Sequence, residues 1–168
     1  MRKVLILVEN GYEELELWVP YYRFLEAELD VVLVGPEAGC TYTGKHGLPA
    51  RADVSFVDAR LDNVRAVLIP GGWAPDRLRV HEAAVDFVRR AYGRRTVVAA
   101  ICHAGPVLVS AGVVCGRRVT SCRSIRDDLR AAGAAWVDEP VVIDGSLITS
   151  RTPADLPTFL PAVLSAVI

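Results

Sequence analysis

The chain has 168 residues, of which 52% are hydrophobic, with 19 basic and 20 acidic side chains and a formal net charge of −1. This length fits one domain with one core, and we expect residues 1–168 to form it. The balanced charge, with no basic stripe, argues against nucleic acid and against an anionic membrane surface as partners.

The predicted strands and helices alternate along the chain. Continuous apolar runs, typical of central strands, occupy Lys3–Val8, Asp30–Gly35, Arg65–Ile69 and Thr96–Ile101. Helices are predicted over Glu13–Glu28, His81–Tyr92, Ala104–Ala111 and Ser124–Ala132, and from about Ala154 onward. Asp144-Gly145 predicts a hairpin between strands at Val137–Ile143 and Leu147–Ser150. This order indicates an α/β fold with a doubly wound, mostly parallel sheet and helices on both faces.

Three details of the helices can be tested. In the first predicted helix, Leu15, Val19 and Tyr22 fall on one apolar face, together with Leu25. Pro20 is expected to kink or interrupt that helix, as is Pro161 in the last one. Ser124 is expected to cap the helix that it begins.

The cysteines point to reduced thiols and not to a metal centre. Cys40, Cys102, Cys115 and Cys122 form neither a CxxC pair nor a Cys/His cluster with metal spacing, so we expect no metal and no cofactor. The N-terminal apolar run, Val4–Val8, is too short for a signal peptide. We therefore expect a cytoplasmic protein.

Cys102 is the strongest candidate for chemistry. In Ala100-Ile101-Cys102-His103-Ala104 a buried strand runs directly into a helix, with small residues two places before and after the thiol. This pattern is similar to a nucleophile elbow. A helix N-terminus favours a thiolate, which would lower the pKa of the thiol. From the motif alone, a buried structural cysteine stays open as the alternative.

Two further strand ends should meet Cys102, because active sites lie at the carboxyl ends of parallel strands. Gly71 and Gly72 follow the third strand and could bring backbone N–H groups to an oxyanion, although any tight loop can use two glycines. Glu13 follows the first strand, where it could donate a hydrogen bond to sulfur if protonated or simply complement the helix dipole.

Several motifs together resemble the DJ-1/PfpI superfamily, and within it the PfpI (intracellular protease-like) branch. They run in order along essentially the whole chain: Tyr12-Glu13-Glu14-Leu15-Glu16-Leu17, Thr43-Gly44-Lys45-His46-Gly47, Pro70-Gly71-Gly72-Trp73-Ala74-Pro75-Asp76, Ala100-Ile101-Cys102-His103, Thr120-Ser121, Ile125-Arg126-Asp127-Asp128-Leu129, Val142-Ile143-Asp144-Gly145 and Thr149-Ser150-Arg151.

The resemblance implies a flavodoxin-like, class I glutamine amidotransferase-like domain with Cys102 as nucleophile. It also implies that His103 assists the thiol, that Glu13 contacts it, and that Asp76 of a neighbouring subunit orients His103 in a dimer or hexamer. Two departures stand out. The family more often has Glu at Asp76, and it commonly reads Cys-His-Gly-Pro where this chain reads Cys102-His103-Ala104-Gly105-Pro106.

The remaining candidates are given structural roles. His46 and His81 lack ligands nearby in sequence and are expected at the surface. Trp73 could line the pocket or simply pack. Cys40, Cys115 and Cys122 are expected to be unreactive, with Cys122 the least secure of the three because it follows Thr120-Ser121 near a strand end.

Two functions of different classes follow. The first is an enzyme in which the Cys102 thiolate attacks a carbonyl carbon, with His103 and Glu13 moving protons. Its substrates would be methylglyoxal-type α-oxoaldehydes or their protein adducts, without glutathione (glyoxalase or deglycase), or peptides (PfpI-type hydrolase). We favour the aldehyde, because it is more electrophilic than an amide. The second function is a redox sensor or stress chaperone without turnover, based on oxidation of Cys102.

Overall fold

The structure is a computed structural model that describes residues 2–168. Its strands are β1 (Lys3–Leu7), β2 (Asp30–Gly35), β3 (Thr41–Thr43), β4 (Pro49–Arg51), β5 (Val54–Ser55), β6 (Val64–Ile69), β7 (Val97–Ile101), β8 (Arg118–Val119), β9 (Ala135–Trp136), β10 (Val141–Asp144) and β11 (Leu147–Ser150). Its α-helices are α1 (Glu14–Glu26), α2 (Ala74–Leu78), α3 (Glu82–Gly93), α4 (Gly105–Ala111), α5 (Arg126–Ala131) and α6 (Leu156–Val167), with 3₁₀ turns at Cys102–Ala104, Arg123–Ile125 and Pro153–Asp155.

The main sheet has seven strands in the order β10-β11-β7-β6-β1-β2-β5. All neighbours are parallel except β10 and β11, which form the predicted hairpin. Two small sheets, β3-β4 and β8-β9, lie outside it. The predicted mostly parallel sheet is confirmed, and the carboxyl ends of β1, β6 and β7 lie side by side at one edge.

Each face of the sheet has its own apolar core. In β1, Leu5 and Leu7 join the core that contains Phe87 of α3, whereas Val4 and Ile6 join the core on the opposite face. That second core contains buried side chains of α1 and α6. Successive strand residues point to opposite faces, so an uninterrupted apolar strand is what a sheet covered on both sides requires.

The helices differ from the sequence predictions in several places. Both α1 and α6 run through their internal prolines, Pro20 and Pro161, without interruption. A proline removes one backbone donor, and here the packing of the rest of each helix tolerates that loss. Ser124 does not cap α5, because it lies in the preceding 3₁₀ turn and its hydroxyl is 3.2 Å from the Cys122 sulfur. The predicted strand at Val137–Ile143 is confined to β10, and α2 was not predicted.

Helix α1 is turned in an unexpected direction. Its apolar face, which contains Leu15, Val19 and Tyr22, is exposed to solvent, whereas Glu14 and Glu16 are buried. The opposite side of the helix contributes the fully buried Leu17 and Phe24 to the core, as surface helices normally do, so α1 carries apolar side chains on both sides. Within residues 2–168, no helix is long and apolar enough to cross a membrane.

Candidate active site

Cys102 occupies a sharp turn at the carboxyl end of β7. Its φ angle is +58°, which is the left-handed region that residues other than glycine rarely adopt. The residue ends the strand, opens a 3₁₀ turn and leads directly into α4. Its sulfur also accepts a hydrogen bond from the main-chain N–H of His103. This is the strained strand-to-helix turn that the sequence predicts for a nucleophile.

The carboxyl group next to the thiol belongs to Glu16. Its side chain is fully buried, and Oε2 accepts a hydrogen bond of 2.6 Å from the Gly71 amide. The Cys102 side chain lines the same cavity as this carboxyl, whose Oε1 has no hydrogen-bond partner among residues 2–168. Burial raises the pKa of Glu16 from 4.5 to about 7, more than the bond from Gly71 lowers it. Glu16 can therefore hold a proton beside sulfur near neutral pH.

Glu13 does not take the place predicted for it. Its Oε2 lies 3.2 Å from the Lys45 ammonium group, with which it forms an ion pair at the cavity wall. The prediction gave the thiol contact to Glu13, and the structure gives it to Glu16. The two residues lie three positions apart, so they share one side of the start of α1, but only Glu16 lies inside the packed helix.

The glycine pair supports the site through close packing. Gly71 has no room for a side chain, since a Cβ atom there would lie 2.6 Å from Glu16 Oε2 and 2.9 Å from Cys102 Cβ. Gly72 adopts φ +81°, and a Cβ there would lie 2.5 Å from the Gly11 carbonyl oxygen. Because the Gly71 amide already donates to Glu16, it is not free for an oxyanion, contrary to the sequence prediction. Gly72 and the exposed Trp73 line the cavity.

His103 lies between a second thiol and a carboxylate. Its Nδ1 is 3.8 Å from the Cys122 sulfur, and its Nε2 is 3.9 Å from Asp76 Oδ1 of the same chain. The imidazole therefore has a carboxylate within ion-pair range without a second subunit. The cross-subunit role of Asp76 stays a prediction.

Cys122 is the residue of the site that the sequence analysis judged unreactive. Its main-chain N–H donates a 3.2 Å bond to the Cys102 carbonyl oxygen, and both side chains line the cavity. The interaction with the Cys102 side chain, with those of Ser124 and His103, lowers the pKa of Cys122 to about 5 in spite of burial. The same interaction, burial and the nearby Glu16 carboxyl raise the pKa of Cys102. The lowered pKa predicted for Cys102 is found at Cys122, and the pair shares one anion.

These groups enclose an open cavity of about 430 Å³ at the carboxyl edge of the sheet. Its polar wall contains Glu13, Glu16, Lys45, Asp76, Cys102, His103, Cys122 and Ser124. Ligand pockets of small molecules have volumes of this order. The cavity therefore brings together every catalytic residue predicted from the sequence, and adds Glu16, Lys45 and Cys122.

The other two histidines are paired, although the sequence analysis expected no ligands for them. His46 Nδ1 lies 2.9 Å from Glu14 Oε2, and His81 Nε2 lies 2.9 Å from a carboxylate oxygen of Glu9. Glu13, Glu14 and His46 place three possible metal-ligand atoms within 4.8 Å of one another. Lys45 and the His46 ring already bond these carboxylates, so the geometry favours a hydrogen-bonded loop anchor.

Comparison with known proteins agrees with this geometry. The family model described as the DJ-1/PfpI family matches residues 2–166. The protein named Deglycase PfpI of Pyrococcus furiosus is 42% identical over 154 residues, which are 92% of this chain and 92% of that protein. The Bacillus subtilis protein named "Putative cysteine protease YraA" is 38% identical over 158 residues, 94% of each chain. The chain belongs to the DJ-1/PfpI family.

Solved structures support the same fold. A two-domain protein of Anabaena variabilis, with DJ-1/ThiJ/PfpI-like and ferritin-like domains, matches with a TM-score of 0.96 and 39% identity, over 98% of this chain and 48% of that one. Drosophila melanogaster DJ-1beta matches with a TM-score of 0.90 and 26% identity, over 99% and 90% of the chains. The predicted flavodoxin-like fold is confirmed.

The residues that the sequence analysis missed had weak signals. Glu16 is one of three acidic residues at the start of α1, and the spacing of three from Glu13 places both on one side of the helix. The only sequence signal for Cys122 is its position shortly after a predicted strand end. Its approach to Cys102 depends on how β8 packs, which local sequence does not reveal.

Proposed function

We propose that this protein is a cysteine-dependent enzyme that converts methylglyoxal-type α-oxoaldehydes, or their early protein adducts, without glutathione. The observation that carries the proposal is the strained Cys102 turn in the wall of a polar cavity, beside a carboxyl group that holds a proton near neutral pH. Relatives named as deglycases support the same chemistry.

The first step forms a carbon–sulfur bond. Cys102 attacks the aldehyde carbon while its proton passes to the thiolate of Cys122, which lines the same cavity. The carbonyl oxygen becomes an alkoxide and takes a proton from the Glu16 acid or from His103, giving a hemithioacetal. A free aldehyde needs no leaving group at this stage, so the pocket has only to position one carbon and supply one proton.

The second step moves hydrogen within the substrate. A base removes the proton from the former aldehyde carbon, and the adjacent ketone carbon receives a proton, so the first carbon is oxidised to a thioester and its neighbour is reduced to an alcohol. We assign the proton transfer to His103, with Asp76 at 3.9 Å stabilising its charged form. Water then cleaves the thioester, which releases a hydroxy acid and restores Cys102.

Measurement of methylglyoxal consumption and hydroxy-acid formation tests the proposal. Wild-type protein is expected to turn over the aldehyde, Cys102→Ser is expected to lose this activity, and Cys115→Ser, which changes an exposed cysteine outside the cavity, is expected to retain it. Equal activity in wild type and Cys102→Ser would overturn the assignment.

Peptide hydrolysis is the second candidate, supported by the name of the Bacillus subtilis relative. Against it, His103 is directed at Cys122 and Asp76, whereas a peptidase needs a base that first activates the nucleophile and then protonates the leaving amine. The same three proteins assayed on casein and short amide substrates separate the two activities.

We also propose a homo-oligomer, a dimer or a hexamer. The exposed apolar face of α1 is the feature that supports it, because monomeric proteins rarely leave such patches uncovered. In such an assembly Asp76 of a neighbouring subunit would reach His103, in addition to the contact within one chain.

A further inference from the structure

The Cys102–Cys122 pair carries a second chemistry that carbonyl attack does not require. Both residues line one cavity, and the Cys122 sulfur lies 3.8 Å from Nδ1 of His103, the residue next to Cys102. The other two cysteines lie elsewhere: Cys115 is exposed, and the Cys40 sulfur lies 3.2 Å from a carboxylate oxygen of Glu37. Two thiols held together at an accessible site can do what a single thiol cannot, which is to close a disulfide.

The backbone already holds the two residues against each other. The Cys122 N–H donates to the Cys102 carbonyl oxygen at 3.2 Å, and a disulfide requires Cα atoms about 4.4–6.8 Å apart. The Cys122 loop is fixed just before that point, since the Thr120 N–H donates to Thr149 Oγ1 and the Trp136 indole donates to Ser121 Oγ, both at 2.9 Å. The main-chain bond holds the two residues side by side, and we infer that side-chain rotation can bring the sulfurs together.

We propose that Cys102 and Cys122 form a reversible dithiol–disulfide pair, which a hydroperoxide oxidises and an external dithiol reduces. The chemistry of the pair depends only on the two thiols. Its consequence, that oxidation switches off carbonyl turnover, rests on the function proposed above.

The oxidation balances in two steps. The thiolate of the pair attacks the outer oxygen of the hydroperoxide, the O–O bond breaks, and an alcohol or water leaves while the sulfur becomes a sulfenic acid. The neighbouring thiol then attacks that sulfur, the S–O bond breaks, water leaves and the disulfide forms. Two electrons pass from the sulfurs to the peroxide, and a small dithiol returns them by thiol–disulfide exchange.

The second cysteine changes the outcome of oxidation. A lone sulfenic acid proceeds with excess peroxide to sulfinic acid, which simple thiols do not reduce. With Cys122 beside it, the sulfenic acid is consumed before the next oxidation. The disulfide also occupies the Cys102 sulfur, so the carbonyl site is closed until the pair is reduced.

Hydrogen peroxide titration followed by mass spectrometry tests the proposal. In wild-type protein we expect loss of two hydrogens per chain, a Cys102–Cys122 cross-linked peptide and full reversal by dithiothreitol. Cys122→Ser should instead give a dimedone-trapped sulfenic acid and then irreversible sulfinic acid at Cys102. Cys115→Ser, the matched control with a cysteine outside the cavity, should behave as wild type.

The outcomes separate this proposal from the carbonyl function. The disulfide proposal is wrong if Cys102 forms sulfinic acid as fast in wild type as in Cys122→Ser and no cross-linked peptide appears. This holds even if the protein consumes methylglyoxal. A reversible disulfide in a protein that ignores methylglyoxal would leave the pair standing and refute the enzyme proposal. If the disulfide pair and the enzyme proposal are both right, oxidation of the wild-type protein should lower its aldehyde activity by at least about tenfold, because a disulfide sulfur is no nucleophile. Dithiothreitol should restore the activity.

Discussion

The inward and outward sides of helix α1 differ in a way that their composition alone does not suggest. The face toward the sheet buries the carboxyl groups of Glu14 and Glu16, whereas Leu15 and Tyr22 on the other face are 52% and 63% exposed. Burying a carboxyl group costs free energy unless it is paired or neutral, and an exposed apolar side chain stabilises nothing inside the chain. Leu17 and Phe24 of the same helix are fully buried in the core, so α1 contributes to the fold as well as to the site.

The two buried glutamates also differ from each other. Burial raises the pKa of Glu16 to about 7. Burial acts in the same direction on Glu14, but the hydrogen bonds from the His46 ring and from the His46 and Leu48 amides outweigh it and lower its pKa. Two residues apart, one carboxyl is therefore held as an acid beside sulfur and the other as an anion that anchors a loop.

The largest effect is expected when Glu16 loses its acid function. Glu16→Gln keeps an acceptor for the Gly71 amide but cannot ionise, so kcat/KM for methylglyoxal should fall by about 10²–10⁴-fold, the usual worth of a general acid. Glu13→Gln, which breaks the partly buried ion pair with Lys45, is the control and should lose less. If the two variants lose equal activity, the assignment of the proton to Glu16 is wrong.

Truncating one leucine on each face of α1 measures how much that face contributes to the free energy of unfolding. Leu17 is fully buried, so Leu17→Ala should lower the free energy of unfolding by about 2–5 kcal/mol. Leu15→Ala should change it by less than about 0.5 kcal/mol when measured by urea denaturation at low protein concentration. Similar losses for both leucines would show that the exposed face packs on the same chain.

The third expected effect is a pH dependence of stability that originates in Glu16. The folded chain keeps the Glu16 proton up to about pH 7, whereas the unfolded chain releases it near pH 4.3, about the ordinary value. Between these values the folded state binds more protons, so this residue's contribution to the free energy of unfolding falls by about 3 kcal/mol as the pH rises.

Urea midpoints from pH 5 to pH 8 should therefore decline less in Glu16→Gln than in wild type. Glu14→Gln should keep the wild-type slope between pH 5 and pH 8, because the pKa of Glu14 is lowered from 4.5 and the stability contributed by its carboxylate is lost only as the pH falls below this range, through the folded pKa. Parallel curves for wild type and Glu16→Gln would refute the raised pKa.

Sequence patterns predicted the parts of the molecule that depend on local order. The apolar runs of β1, β2, β6 and β7 and the small residues around Cys102 are local signals, and the structure contains each of them. The carboxyl beside the thiol could not be assigned in this way. Glu13 and Glu16 are both suitable by spacing, and the choice depends on the rotation of α1 against β6, which packing of the whole helix decides.

Cys122 illustrates the same limit over a longer distance. Its loop meets Cys102 through the packing of β8, α5 and the β11 side chain that receives the Thr120 amide. Nothing within a few residues of Cys122 encodes that contact. The orientation of α1 is a further case, since the predicted apolar face is exposed and the core receives Leu17 and Phe24 instead.

The smallest effect on the folded chain, and the sharpest test of the exposed face, comes from Tyr22→Asp. The side chain is exposed, so the variant should keep its fold and its monomer stability within about 0.5 kcal/mol. If the face is an interface between copies of the chain, the charge must lose water on association, and self-association in sedimentation velocity should weaken by at least about tenfold. Val57→Asp, at a 70% exposed residue away from α1, supplies the same charge as a control. An unchanged distribution of species in Tyr22→Asp would mean that the exposed face of α1 is not an interface between copies of the chain, and the orientation of this helix would then be explained by Glu16 and by the burial of Leu17 and Phe24.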